Sequence, residues 1–578
     1  MKKGSKWKVQ FLVMAFCVLG LVAVLVGSSY AIFSDVSDQG DYNTVTAGTL
    51  QLSYEDTQSL SLSNLYPVSD VEGMTGEGYT FTVRNIGTLP SDYKVMIQDD
   101  EAMIQADGCS DHLMPKANIK ISVDGGTPFL LSSIEESNYM ITTGNLQPGD
   151  SVTHVVKVWI DEASGNEILG THFHGKVVVE GIQGEFVYRD ESGANPPELV
   201  DGMIPVTYNG TNWVKADTSS KWYDYNNQEW ANAVTVTEMN RATYMSAEAG
   251  TVIPMEDINT MWVWIPRYSY TIGNSNGVQG YGGRTPSRRW PGAIDIKFVD
   301  VNTKETGTAQ YTGSEPSNWR TSPGFTFGEE ELSGFWYGKF ELVGEETNGE
   351  CGDDTCSTDD IGIVPNGPPL TLQSLLSLFH ITRSMQMNSS NPYGFSSEAG
   401  DLHMSKSSEW AAVAYLSQSK YGKYGNLDYK EEYKEIFKNG YFFTGKSSGF
   451  PEGSEFDATY DVPYEGTGAS TTGTIYGVYD MCGGVHEYVM SLYDGPIDLR
   501  GIQTKYYESL GTLTDDTGYA LNESVFWYYD EQEQEFFGSA VFLRGGSYMH
   551  TIGAGIFHIA VSDGEPREDS GTRAVYVP

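Results

Sequence analysis

The stretch that most constrains this chain is Gly473–Met490, GTIYGVYDMCGGVHEYVM, taken together with Leu543–Tyr548, LRGGSY. A Gly-rich turn leads into a short aromatic strand, then a tight Cys482-Gly483-Gly484 turn, then His486-Glu487-Tyr488. Glycine is the residue that turns tightly at no steric cost, so two backbone elbows are expected, one in each stretch. His486-Glu487-Tyr488 sets one carboxylate, Glu487, among bulky rings. The simplest role for it is to accept hydrogen bonds from the turn's own N–H groups, which such turns often need.

At 578 residues the chain is long enough for two or three domains, each with its own core. Its formal charge is −42, and Lys2, Lys3, Lys6 and Lys8 all precede the first acidic residue. Without the first 31 residues, 31 basic side chains face 77 acidic ones, a formal charge of −46. A surface of that sign repels nucleic acid and anionic lipid and attracts cations, calcium included. Nucleic acid is therefore excluded as a partner. The five cysteines are Cys17, Cys109, Cys351, Cys356 and Cys482, too few and too scattered for a disulfide scaffold. Cys351 and Cys356 are neighbours in the loop GECGDDTC, which suits a local disulfide. A zinc site there would need two further ligands, and none is spaced nearby.

Residues 1–31 read as a secretory leader: MKKGSKWK is a basic start, and Phe11–Val26 is an apolar run of 16 residues. That run is shorter than the roughly 20 residues of a comfortable membrane span. Ser29-Tyr30-Ala31 offers a cleavage site between Ala31 and Ile32, with retention as an anchor as the alternative. Both place the bulk of the chain outside the cytoplasm.

Beyond the leader, Phe81–Val83, Tyr93–Ile97, Val152–Ile160 and Lys176–Val179 are β-rich runs separated by Gly, Pro and Asp turns, which predicts an all-β domain. Val152, Val156, Val158 and Ile160 form one apolar face that also carries His154. Phe173, Gly175, Val177 and Val179 point inward, so His172 and His174 point outward, away from His154. A three-histidine metal site is not expected there, and there is no H-E-x-x-H. Residues 186–200 mix charge, Gly and Pro-Pro as a semi-rigid linker would. Ten of the twelve Trp lie beyond residue 200, in a second domain over 201–578 that opens with an aromatic β extension, 201–255. In it Asn209-Gly210 predicts a hairpin, Met261–Ile272 a buried strand and Phe335–Val343 another. Arg284, Arg288 and Arg289 are its basic cluster. Helices are expected over Thr371–Met385 and over Lys406–Lys420, the second capped by Ser405 and burying Trp410, Val413 and Ala414.

Two motifs match by letters alone. Gly440–Ser447, GYFFTGKS, spells a P-loop, but strand-like YFFT fills the loop and Ser448-Gly449-Phe450-Pro451 forbids the helix it needs. Gly445–Gly449, GKSSG, spells a nucleophile elbow and fails for the same reason.

Two resemblances add to this reading. AIFSDVSDQGDYNTVTAGTLQLS, the segments LSLSNLYPVSD and YTFTVRNIGTLPSDYKVMI, and Leu146–Gln183 resemble the TasA/camelysin family of Gram-positive surface proteins. The resemblance covers about 32–185 and implies a jelly-roll β-sandwich, secretion, and self-association or fibre partners. Tyr479, Met481, Gly483, Val485 and Glu487, with Arg544, Gly545, Gly546 and Ser547, resemble the signature of the formylglycine-generating-enzyme-like (sulfatase-modifying-factor) family, an α+β variant of the C-type-lectin fold. This chain departs from it in having Gly484 for Asn, His486 and Tyr488 for Trp, and GTRAV near its end for G-F-R. The resemblance implies a structural calcium ion that Glu487 helps to ligate, a role weakened by Gly484, which offers no side-chain oxygen. Catalysis in that family rests on a copper-binding cysteine pair just after R-G-G-S-[WY]. Met549–Asp563 holds His550 and His558 but no cysteine, and imidazoles do not replace that thiolate pair. The expectation is a secreted structural or adhesive protein whose C-terminal domain binds a glycan or protein ligand without catalysis. The alternatives are an enzyme diverged from the family and a diversified ligand-display head.

Overall fold

The computed structural model describes residues 33–578 apart from 36–51, 57–59, 63–65, 185–186, 273–293, 310–315, 346–349, 426–434, 450–456, 493–498, 500, 510–527, 529–540 and positions 77, 88, 109, 111 and 136. For 33–35, 52–56, 60–62, 183 and 551–552 only the backbone is described. The leader, the Ala31/Ile32 junction, Cys109 and the Arg284/Arg288/Arg289 cluster lie outside the described residues. No helix among the described residues is long and apolar enough to cross a membrane. The chain is a β-rich protein of two compact units, Met1–Val187 and Tyr188–Pro578.

In the first unit the expected runs lie inside longer strands, paired antiparallel into two sheets. One sheet is ordered Phe33–Asp35, Phe173–Gln183, Ser91–Asp99, Met140–Leu146, with Leu60–Leu62 also on Phe173–Gln183. The other is ordered Leu52–Asp56, Tyr79–Asn85, Ser151–Ile160, Ile119–Val123, Phe129–Leu130. Both sheets feed one core, with Phe81, Ile121 and Val156 from the second meeting Val95, Ile97 and Val177 from the first. His154 is buried as expected and links the sheets: its Nε2 is 2.9 Å from the Tyr93 hydroxyl, and its Nδ1 is 2.7 Å from Asp124. His172 and His174 stack on each other, their ring centroids 6.0 Å apart. His174 is nevertheless buried, because the alternation that removes it from the core does not by itself expose it to water.

The second unit corrects the linker expected over 186–200: from Tyr188 onward that segment is packed structure. Tyr188 N donates to Thr218 O, Asp190 accepts from Tyr225 N, and Ala194 is in the core. The physical reason lies in tryptophan, whose buried N–H needs an acceptor. Trp264 and Trp336 donate to the backbone carbonyls of Asn195 and Glu198, at 3.0 and 2.6 Å. Trp213, Trp230, Trp262 and Trp410 are likewise buried and donate to Tyr460, Tyr421, Thr260 and Ile556. Irregular segments are thus held by rings as firmly as strands are by ladders.

The main sheet has seven strands, ordered Trp213–Lys215, Ile204–Tyr208, Asn232–Val236, Ile258–Pro266, Gly334–Gly338, Ala574–Val577, Asp401–Met404. The first two form the expected hairpin around Asn209-Gly210, with Gly210 at φ +94°. Met261–Ile272 is two strands rather than one, Ile258–Pro266 and Tyr268–Ile272, in different sheets. The break falls at Arg267, which is fully buried and donates to the carbonyls of Phe325, Leu332 and Thr303 and to Glu331. Phe335–Val343 is strand only to Gly338, because Lys339 turns inward, donating to Asn232 Oδ1 and to the carbonyls of Ile475 and Gly477. Of the two expected helices, the first runs Leu375–Met387, starting four residues later than expected and capped by Ser374, since Leu372 is at φ +57°, and the second runs Ser407–Ser417; a third, Glu238–Ser246, was not expected. The second starts one residue later than expected, from Lys406, whose N–H donates to Glu409 at 2.8 Å. Every residue of it is buried, Trp410, Val413 and Ala414 among them. Lys446–Ser447, where a P-loop would begin its helix, is strand.

Candidate functional site

The two stretches that frame the sequence come together at one strand, His486–Leu492. It pairs antiparallel with Val541–Arg544, Glu487 facing Arg544, and parallel with Ser570–Thr572 on its other edge. The elbows interlock: Gly483 N donates to Gly545 O, and Tyr548 N to Gly484 O. Gly484 sits at φ +72°, and a Cβ there would lie 2.5 Å from Glu341 Oε1. Strand alternation sends Glu487 to one side and His486 and Tyr488 to the other.

On the Glu487 side is a sealed ionic cluster. Arg573, fully buried, donates from Nε to both Glu487 oxygens at 3.0 and 3.2 Å, and from Nη1 and Nη2 to the carbonyls of Gly338 and Tyr479. Burial would lower the Arg573 pKa, but the Glu487 carboxylate overcomes it and raises it. Two more buried acids stand close by. Glu341 accepts from Val485 N through Oε1, while its Oε2 has no hydrogen-bond partner. Burial, with the charges of Asp480 and Glu487, holds Glu341 well above the usual carboxylate range. Asp480 accepts from Gly445 N and Asn439 Nδ2, and burial pushes it up to about 6. The calcium expectation for Glu487 meets a different donor set. Both of its oxygens are spent on Arg573, so the surroundings fit a guanidinium and not a calcium ion.

On the other side the structure gathers His486, His550 and His558. Ring centroids are 4.5 Å apart for His486 and His550, 5.2 Å for His486 and His558, and 5.4 Å for His550 and His558. Asp569 joins them, its backbone carbonyl accepting from His486 N and its Oδ2 from Ser547 Oγ. His486 is far along the chain from the other three, and the sheet brings it to them.

The cysteines fall as follows. Cys351 and Cys356 form the expected disulfide. Cys482 is buried, its Sγ 3.8 Å from the Ala554 carbonyl oxygen. Elsewhere on the second unit a cleft of about 560 Å³ is lined by Lys304, Arg320, Lys406 and Lys505 against Glu305, Glu331 and Glu508. Several of these charges are paired within the protein: Lys505 with Asp401 at 2.8 Å, Lys406 with Glu409 at 3.3 Å, and Glu331 with Lys304 and Arg267.

The sequence matches no family model and no curated protein. Among solved structures it is similar to Treponema denticola variable protein 1, at 12% identity over 56% of this chain and 98% of that one, with a TM-score of 0.23. Identity and score at that level carry no structural argument.

Proposed function

We propose that this is a secreted bacterial surface or matrix protein with a structural or adhesive role, whose second unit binds a ligand without transforming it. The first unit, on this reading, is a TasA/camelysin-like jelly roll that associates with copies of itself. The second is a formylglycine-generating-enzyme-like domain of lectin-related fold. One observation carries the non-catalytic part: of the second unit's cysteines two form a disulfide and the third, Cys482, is buried with its Sγ against the Ala554 carbonyl, so they offer no thiolate pair to a soft metal. The cleft at Lys304 and Glu508 supports binding of a polar ligand. Its charges are largely compensated within the protein, which favours hydroxyl-rich or zwitterionic groups over strongly charged ones.

Two assays on the secreted chain test this. Incubation with copper, oxygen and a sulfatase-type CxPxR peptide leaves the peptide mass unchanged; conversion of its cysteine to formylglycine would overturn the binding reading. A glycan and matrix-protein array returns a ligand whose retention falls when Lys505→Glu reverses charge at the cleft. Retention indifferent to that change would remove the cleft from the argument.

A further inference from the structure

The histidine side of the strand His486–Leu492 has no role in the binding reading, yet it has the chemistry of a metal site. His486, His550 and Asp569 each offer a ligand atom, and those atoms lie within 4.8 Å of one another. His486 is 5% exposed and its Nδ1 is buried without a hydrogen-bond partner. His558 is wholly buried, and neither of its ring nitrogens has a partner. Leaving a buried polar atom unsatisfied costs about 1–3 kcal/mol each, and three such atoms stand together here. A cation shared among the rings would satisfy them.

The surroundings are arranged as an outer shell would be. His550 holds Ser547 through Nδ1, at 2.8 Å from Oγ, and Ser547 Oγ in turn donates to Asp569 Oδ2 at 3.1 Å. A hydroxyl that braces one imidazole and one carboxylate fixes the orientation of both. The three elements concerned are the strand from His486, the 3-10 turn Tyr548–Gly553 and the segment just before Ser570–Thr572. An ion here would tie that turn to the sheet. The formal charge of −42 raises the local concentration of any cation.

We propose that His486, His550 and Asp569 bind one divalent transition ion of the zinc class, with His558 beside them as a further nitrogen donor. Imidazole with one carboxylate suits zinc and its borderline neighbours, whereas the hard ions calcium and magnesium take oxygen ligands. The ion organises the turn that follows LRGGSY, and the exposed Met549 on it, rather than the sealed Glu487–Arg573 side.

The test uses the full secreted chain, stripped with a chelator and dialysed. Titration with zinc against a chromophoric competitor gives one tight site per chain, and zinc raises the melting temperature. Cobalt(II) in its place gives visible d–d bands of a low-coordinate site without a thiolate charge-transfer band, which separates this site from Cys482. His550→Ala and Asp569→Asn, on half-buried residues, each abolish the stoichiometric site and the thermal shift, while His172→Gln in the first unit leaves both unchanged. Tryptophan fluorescence and near-ultraviolet circular dichroism verify that the variants fold. Zinc binding equal in the parent, His550→Ala and Asp569→Asn proteins would assign the ion to scattered surface carboxylates and overturn the proposal, as would the absence of any tight site.

Discussion

Arg573→Met removes the guanidinium from a closed space that holds Glu487, Glu341 and Asp480. Deleting one member of a buried ion pair costs about 3–5 kcal/mol, because the other is left uncompensated. Here the lost side chain also served the carbonyls of Gly338 and Tyr479, which places the expected loss at the upper end. Denaturant unfolding followed by tryptophan fluorescence reads this unit selectively, since ten of the twelve Trp lie beyond residue 200. The pH dependence is the sharper test. Arg573 lowers the pKa of all three acids, so removing it raises them further above their unfolded values. An acid whose folded pKa is raised contributes stability that is present below its unfolded pKa and lost as pH rises through the folded value. For Asp480 that window already runs from the ordinary carboxylate value of 3.8 to about 6 in the parent protein. The difference between variant and parent therefore shrinks toward pH 4 and is largest above pH 7, and taking the difference cancels groups elsewhere. Glu487→Gln in the Arg573→Met background recovers part of the loss. A deficit under about 1 kcal/mol, or one independent of pH, would refute the account of a sealed, charge-compensated cluster.

Gly484→Ala places a Cβ against Glu341 at a backbone angle that L residues avoid, and lowers stability by about 1–3 kcal/mol in the same fluorescence assay. Mass spectrometry of secreted protein finds Ile32 at the N-terminus; an intact Met1–Ala31 would contradict cleavage. Deleting Ile32–Asp41 abolishes oligomers in light scattering. That segment includes Phe33–Asp35, which pairs with Phe173–Gln183 in its own chain, so exchange of the same strand between chains is the expected mode of association.

Much of the fold is legible wherever a local period is strict. The alternation from Val152 to Ile160 marks the strand and the inward side of His154, and the leucine spacing marks a helix but not its start, which falls at Leu375 rather than Thr371. Legibility ended where tertiary contacts decide. Arg267 splits an unbroken apolar run because its guanidinium meets three carbonyls from distant loops. Residues 188–200 carry the composition of a linker, yet supply acceptors to two buried tryptophans. Glu487 reads from the sequence as a carboxylate held by its own turn's N–H groups or by calcium, whereas its partner Arg573 stands 86 residues away, and no pattern names it.

The strand His486–Leu492 puts two unlike environments on its opposite faces, and that separation has an energetic consequence. Toward one face, Glu487 is locked by Arg573 within the main body of the unit. Toward the other, Tyr488 donates to Glu565 O at 2.7 Å and lies 2.9 Å from Ser562 Oγ, while His486 meets the histidine cluster. The Glu487–Arg573 hydrogen bonds of one face and the Ser547–Asp569 and Tyr488–Ser562 contacts of the other involve different residues, so perturbations on the two faces should add. Asp569→Asn combined with Arg573→Met is expected to cost the sum of the single changes to within about 0.5 kcal/mol, measured by the same denaturation. Added zinc should stabilise the Arg573→Met protein by as much as it does the parent. Coupling well above that margin would mean that the backbone of the shared strand transmits strain between the faces. The turn after LRGGSY would then be no independent surface on which sequence can change without unsettling the fold.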